Sequence, residues 1–509
     1  MILILDFGSQ YAQLIARRIR EEKVYCEICP GNKSLDSFSG IKDLKGVILS
    51  GGYDSVYSKD ATWPDCRVWE LNVPILGICY GMQLIAERLS GKVAPSKRRE
   101  FGLASVNVGC GCSLFKGLKS KETFWMSHGD RLSKMPKGFK VTAKSENSPY
   151  AAIENISKNM YGVQFHPEVK HSVNGKKILQ NFIFNICGSK RDWTMKSYIV
   201  DEVKRIRERA GQSKVLCALS GGVDSSVAAV MLHKAIGKRL VCVYVDHGLQ
   251  KLGETERVKK VFGKMFGKNL IIVDAKKIFL SKLEGVADPE RKRKIIGRTF
   301  IKVFDKEAKK LKGIDYLLQG TIYPDVIESV SIKGSKAPIK SHHNVGGLPE
   351  KIKMKLVEPL KFLFKDEVRV LGKELGIPEE IINRQPFPGP GLAVRTLGEV
   401  TEEKLNILKA ADDIVTQEII KAGLYEKIWQ SFAVILPVKT VGVMGDVRTY
   451  EYVIALRVVN SDDAMTADWV KLPYDLLGRI SSRIINEVKG ANRVVYDISN
   501  KPPATIEWE

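Results

Sequence analysis

Short apolar runs recur along the first part of the chain, each followed by a stretch whose apolar residues return every three or four positions. Met1 to Leu5 reads as a strand and Gln10 to Glu22 as a helix. Gly46 to Leu49 runs into the turn Ser50-Gly51-Gly52-Tyr53. Val73 to Ile78 reads as a buried strand, Met82 to Leu89 as the helix after it, and Gly162 to His166 as a further strand. This is α/β grammar. After a junction at Lys190-Arg191-Asp192-Trp193 it resumes, with strands at Val215–Leu219, Arg239–Val245, Leu270–Val273 and Tyr316–Gln319 and a helical run from Ser226 to Ala235. From Val326 to Lys355 the period dissolves among glycines, prolines and lysines, as in a functional loop. Gln385-Pro386-Phe387-Pro388-Gly389-Pro390-Gly391 then breaks the chain. Beyond it, Phe432–Val438 and Tyr450–Val459 read as antiparallel strands, with helices near Glu402–Ala422 and Tyr474–Val488. The expected fold class is α/β multidomain: two α/β domains with mainly parallel central sheets, residues 1–188 and 189–385, plus a C-terminal α+β domain, residues 386–509.

Composition narrows the function classes. A hydrophobic fraction of 44% and a charged fraction of 27% are those of an ordinary soluble protein. No basic segment precedes an apolar one at the start, and no run is long enough to span a membrane. The nine cysteines are scattered and odd in number, which fits a reducing, cytoplasmic setting. Cys26-Glu27-Ile28-Cys29 and Cys110-Gly111-Cys112 lack partners at zinc-finger spacing. The net charge of +23 would suit nucleic acid, but the positive residues are spread out, without an aromatic-interleaved stripe. A lysine-rich surface with sites for anionic small molecules is expected, with neither membrane nor specific nucleic-acid partner.

Two turns carry chemistry. Ser220-Gly221-Gly222-Val223-Asp224-Ser225-Ser226 lies between a strand and a helix, where backbone N–H groups face a phosphate. No lysine follows the last glycine, so it is not a Walker loop. It resembles the pyrophosphate loop of the N-type ATP pyrophosphatases, which cleave ATP between the α and β phosphates. The second turn is Gly77-Ile78-Cys79-Tyr80-Gly81, with a cysteine on a tight strand-to-helix bend between small neighbours. A helix N-terminus favours its thiolate. Far downstream stands Gln164-Phe165-His166-Pro167-Glu168, and a distant Cys, His and acid suit base-activated thiol catalysis. These residues resemble the class I glutamine amidotransferases, with Cys79, His166 and Glu168 matching the triad.

The whole chain, in order, resembles the glutamine-hydrolysing GMP synthetases. Asp6-Phe7-Gly8-Ser9-Gln10-Tyr11, Gln319-Gly320-Thr321-Ile322-Tyr323-Pro324-Asp325, His342-His343-Asn344-Val345-Gly346-Gly347 and the C-terminal Lys501-Pro502-Pro503-Ala504-Thr505-Ile506-Glu507-Trp508-Glu509 carry that likeness. It implies GMP formation from XMP with ATP as cosubstrate, Mg²⁺ and glutamine-derived ammonia, in a homodimer held by the third domain. It implies that Gly51, Gly52 and Tyr80 hold the oxyanion, and that Gln83, Ser127, His128 and Asp130 bind glutamine. His128 also reads as a satisfied structural histidine. Asp224, with Asp325, Glu328 or Asp366, would ligate Mg²⁺. Lys340, His342, His343 and Lys365 would neutralise the departing pyrophosphate, with residues 326–355 as a lid over ATP. XMP recognition maps to Arg293, Pro388, Gly389, Gln430, Asp446, Arg448, Lys501, Ile506 and Glu507; Asp446-Val447-Arg448 also reads as a surface turn. A tRNA-modifying ligase, or a nucleic-acid-binding protein on a dead enzyme fold, fits these motifs less well.

Two stretches depart from that family. Tyr53 stands where its Ser-Gly-Gly-Pro turn has proline, which removes a fixed φ from the oxyanion loop. After Asp246-His247-Gly248, Lys251 and Gly253 replace an Arg and an Asn.

Overall fold

A computed structural model of the 509-residue chain describes every residue except 39, 110, 330–353, 445 and 462–465. The chain divides into two compact units: residues 1–198 with 323–329, and residues 199–322 with 354–509 among those described.

The first unit is built on a nine-stranded sheet among the described residues. Cys26–Pro30, Ile2–Phe7, Gly46–Gly52, Ile75–Ile78 and Met160–Val163 lie side by side and run parallel. Their interiors are almost wholly apolar, as strands covered on both faces must be. The helices Ala12–Glu21 and Tyr80–Arg88 are the connections expected between them. The strand expected to reach His166 ends at Val163, and His166 instead forms an isolated bridge with Trp125. Beyond Met160–Val163 the sheet continues antiparallel through Ala152–Asn155, Lys140–Ser145, Lys92–Val108 and Lys121–Lys134. Charged residues interrupt these long strands, which hides their period in the sequence. At the other edge, the Ile28 amide donates to the Tyr323 hydroxyl, so part of that edge is capped.

The second unit carries two sheets. Leu270–Asp274, Leu240–Asp246, Lys214–Ala218, Ile314–Leu318 and Lys355–Val357 form a parallel sheet in that order. Gln430–Met444 and Val447–Asn460 form a long antiparallel hairpin, extended by Asp468–Trp469 and by the parallel strand Ala491–Asp497. One continuous apolar core runs from Leu216 and Val243 of the parallel sheet to Ile454, Leu456 and Ile480 around the hairpin. Of residues 326–355, Val326–Ser329 finish the helix Tyr323–Ser329 and Lys355 opens a strand. The rest of that expected lid, with Lys340, His342 and His343, lies outside the described residues.

The C-terminal tail is fixed by buried cations. Arg457, fully buried, donates to the carbonyls of Ser499, Thr505 and Ile506 and pairs with Asp497 at 3.3 Å. Lys292, also fully buried, holds the Ala393 and Thr396 carbonyls and the Glu509 carboxylate. Replacing Arg457 with Ala strands three carbonyls and a carboxylate, which costs about 3–5 kcal/mol on the scale of broken buried pairs. Residues 498–509 of Arg457→Ala are expected to exchange amide hydrogens much faster than in the parent. Unchanged protection there would contradict this anchoring.

Candidate active sites

Three adjacent parallel strands deliver the first site at their C-terminal ends. Ile75–Ile78 ends on Cys79, whose φ of +52° is rare for a side-chain-bearing residue. The bend closes because Gly77 and Gly81, two residues to either side, lack side chains. A Cβ on Gly77 would lie 2.5 Å from Met82 N, and one on Gly81 2.7 Å from Leu49 Cβ. Helix Tyr80–Arg88 starts at once, so the Tyr80 amide has no partner within its helix.

His166, on the segment after the neighbouring strand Met160–Val163, is buried, and Cys79 favours its charged form. Its Nδ1 lies 2.8 Å from Oε1 of Glu168, a fully buried carboxylate. Ser172 donates to the His166 carbonyl and the Tyr11 ring stands edge-on at 5.0 Å, which fixes the imidazole plane. Gln164, which sequence reasoning missed, donates to Cys79 Sγ at 3.6 Å. Its place two residues before the histidine was the available signal.

The turn after Gly46–Gly52 closes the site. A Cβ on Gly51 would sit 3.2 Å from His166 Cε1, and one on Gly52 2.9 Å from the Tyr80 ring, so both positions need glycine to come this close. The remaining expected residues are placed less uniformly. Cys79 Sγ faces the Ser127 carbonyl at 3.8 Å. Gln83 donates to the Asp130 carbonyl, and the Ser55 and Tyr57 hydroxyls donate to the Asp130 carboxylate. His128 has both ring nitrogens engaged inside the protein, one with the Asp130 carbonyl at 3.0 Å and one with Glu100 at 3.1 Å.

In the second unit, the turn Ser220 to Ser226 joins strand Lys214–Ala218 to helix Val223–Ile236. It is internally braced. Ser220 and Ser225 hydroxyls meet at 2.8 Å, and the Gly222 amide donates to Ser220 Oγ. Gly221, at φ +76°, passes so close to Glu254 that a Cβ would lie 2.7 Å from that carboxylate. Glu254 is held by Arg384, which also donates to the Gly221 carbonyl; neither was singled out in the sequence, since both stand in unremarkable charged stretches. Gly320 crosses the same turn, 3.3 Å from Ser225 N at its would-be Cβ. Lys365 Nζ lies 2.6 and 2.7 Å from the two Asp224 oxygens.

That pair bears on magnesium. Both Asp224 oxygens face the Lys365 ammonium, which a metal ion would have to displace or share. Among the described residues, no three His, Cys, Asp or Glu side chains converge on one metal position. Asp366 is exposed on the next residue of its helix, and Asp325 lies on helix Tyr323–Ser329 with the first unit; the Glu328 side chain is not among those described. The donor set fits a hard ion held by one carboxylate with nucleotide oxygens completing the shell.

The tail forms a third cluster. Arg395, stacked 3.8 Å from the Phe432 ring centroid, grips Glu507 with two hydrogen bonds. Gln430 donates to the same carboxylate and to the Pro386 carbonyl, two residues before Pro388 and three before Gly389. Ile506 packs beside Phe432, and Arg293 donates to the Glu509 backbone carbonyl. Lys501 pairs its backbone with Ala467. Asp446 and Arg448 do not join this cluster. They stand exposed at the hairpin tip, the far end of the strand Gln430–Met444, roughly 45 Å from Gln430 at about 3.3 Å per residue. Sequence alone could not measure that hairpin. Lys251 pairs with Asp412 at 2.9 Å, and Asp412 in turn lies 3.8 Å from Arg395; Gly253 adopts φ +71° before helix Glu254–Phe266.

Electrostatics set the first site's proton. Burial disfavours the charged imidazole, but Glu168 and Cys79 outweigh it, and His166 is pushed well above its ordinary 6.5. Because the folded value is raised, this ionisation's contribution to stability is complete below pH 6.5 and is lost as pH rises through the higher folded value. Glu168→Gln keeps the shape and removes the charge, so the NMR titration of His166 is expected to move to lower pH. An unchanged inflection would contradict the pairing.

Comparison with known proteins agrees along the whole chain. Residues 3–186 match the class I glutamine amidotransferase family, residues 195–297 the NAD synthase family, and residues 417–508 the GMP synthase C-terminal domain. A GMP synthase (glutamine-hydrolysing) of Clostridium botulinum is 57% identical over 509 residues, 100% of this chain and 99% of the relative. Those of Brachyspira hyodysenteriae and Carboxydothermus hydrogenoformans are each 59% identical over 508 residues, again 100% of this chain and 99% of theirs. The chain belongs to the family of glutamine-hydrolysing GMP synthases.

Proposed function

We propose that this chain makes GMP from XMP through two chemistries, ammonia release in its first unit and ATP-dependent activation in its second. The observation that carries the first is Cys79 on its strained turn beside a histidine bonded to Glu168 at 2.8 Å. His166 takes the thiol proton as Sγ attacks the amide carbonyl of glutamine. The Gly52 and Tyr80 amides face the oxyanion, with Gly51 keeping the loop against His166. His166 returns the proton to the leaving nitrogen, ammonia departs, and water then hydrolyses the thioester to glutamate. Asp130 meets the substrate's polar end, while Gln83, Ser127 and His128 support the surrounding backbone.

In the second unit the XMP 2-oxo group, a poor leaving group, attacks the α phosphorus of ATP and pyrophosphate leaves. Ammonia then displaces AMP at C2 and gives GMP. The Ser220–Ser226 turn cradles the pyrophosphate. Magnesium, when bound, would supply positive charge there; Asp224 would hold it, with Asp325, Glu328 and Asp366 as the further candidates of the family likeness. Lys365, and Lys340, His342 and His343 of the 326–355 lid, neutralise the departing phosphates. Arg293, Lys501, Gln430, Glu507, Ile506, Pro388 and Gly389 form the XMP site, with Arg395 orienting Glu507. Asp446 and Arg448 would reach an XMP site only from another copy, in keeping with a homodimer. The division at residues 188 and 385 and a cytoplasmic setting complete this reading.

The test mixes protein, XMP, ATP, Mg²⁺ and glutamine and looks for GMP, AMP, pyrophosphate and glutamate. Asp224→Ala is expected to abolish AMP formation with either glutamine or ammonia, since the activation step needs it. Near-parental AMP formation in that variant would remove Asp224 from the mechanism.

A further inference from the structure

The oxyanion loop carries this chain's departure at Tyr53, and the structure shows where that side chain goes. Tyr53 is 64% exposed, yet one part of its ring is seated on backbone. A Cβ on Gly8 would fall 2.5 Å from Tyr53 Cδ1, inside van der Waals contact, so the ring rests where only glycine leaves room. Gly8 has φ +91° and donates its amide to Asp6 Oδ1 at 2.9 Å, which makes it a fixed platform. An isolated antiparallel bridge joins Gly8 to Gly52, the residue before Tyr53. On its other side the same loop is pressed against His166 at Gly51 and against Tyr80 at Gly52.

We infer that Tyr53 is a positioning residue for glutamine hydrolysis: its ring, seated on Gly8, holds the Gly51–Gly52 peptide beside His166. The inference rests on the glutaminase reading above. Proline at this position would restrict the loop through its own φ. Tyrosine achieves a similar restriction through a contact outside the loop. The effect falls on turnover, because the oxyanion exists only once Cys79 has attacked, and a donor misplaced before that step leaves glutamine binding intact. The Ser55 and Tyr57 bonds to Asp130 hold the loop at a second point, so loss of the ring loosens it without releasing it.

The experiment measures glutamate release, with XMP and ATP present, for the parent and for Tyr53→Ala, Tyr53→Phe and Tyr53→Pro. Tyr53→Ala is expected to lower kcat about ten-fold, less than the roughly 10²–10³ lost with an oxyanion donor itself. Its KM for glutamine stays within about two-fold, as for an interaction made only in the transition state. Tyr53→Phe retains the ring and most of the rate, and Tyr53→Pro recovers most of what Tyr53→Ala loses. Ammonia-dependent GMP formation, equal in all four proteins, reports that the second unit is untouched, and the retained KM for glutamine reports that the first unit is folded. Parental kcat in Tyr53→Ala, a rise in KM alone, or a Tyr53→Pro no better than Tyr53→Ala would overturn the inference while leaving the glutaminase reading standing. No glutamate release by the parent would overturn both.

Discussion

Cys79 is held at a backbone conformation it would not choose. A φ of +52° with a side chain costs on the order of 1–3 kcal/mol and persists only where the surroundings over-determine it. Here they do so by pairing Ile75–Ile78 between Gly46–Gly52 and Met160–Val163, inside the parallel half of the sheet. Cys79, the Gly51–Gly52 loop and His166 therefore stand at the ends of three neighbouring strands. Their spacing follows from strand spacing, and the glycines at 51, 52, 77 and 81 remove the side chains that would hold the three turns apart.

The second unit solves a different problem with the same placement. Its Ser220–Ser226 turn follows the central strand Lys214–Ala218, and Gly320 comes from the neighbour Ile314–Leu318. Ligand sites outside the carboxyl ends of parallel strands are the general rule for such sheets. The positive charge of the chain is partly spent inside this unit. Lys292, Arg395 and Arg457 are buried on carbonyls and carboxylates of the tail, so Glu507 is presented by a fixed frame instead of a loose end.

The parallel strands and the two turns were legible because each is local: a short apolar run or a glycine turn; His166 and Glu168 stand two residues apart, and Cys79 was tied to them by its chemistry and by the family likeness. The antiparallel extension Lys92–Val108 with Lys121–Lys134 was not legible, since its alternation is broken by charges and its pairing joins distant residues. The same holds for Arg384 with Glu254 and for Arg395 with Glu507, ion pairs between residues more than a hundred positions apart. Asp446 and Arg448 sit close to Gln430 in sequence, and the long hairpin separates them from it within one chain, which no local pattern could show. Tyr53 reads as a lost constraint until its contact with Gly8, across the fold, is seen.

The central claim is that Cys79 only supplies ammonia, while activation and displacement belong to the second unit. The direct measurement is GMP formation by Cys79→Ala, compared with the parent, first with saturating glutamine and then with an ammonium salt at alkaline pH, where more of it is free ammonia. Glutamine-dependent GMP formation is expected to disappear and ammonia-dependent formation to remain largely intact. Equal loss of both in a folded variant, or retention of the glutamine-dependent activity, would contradict that division of labour.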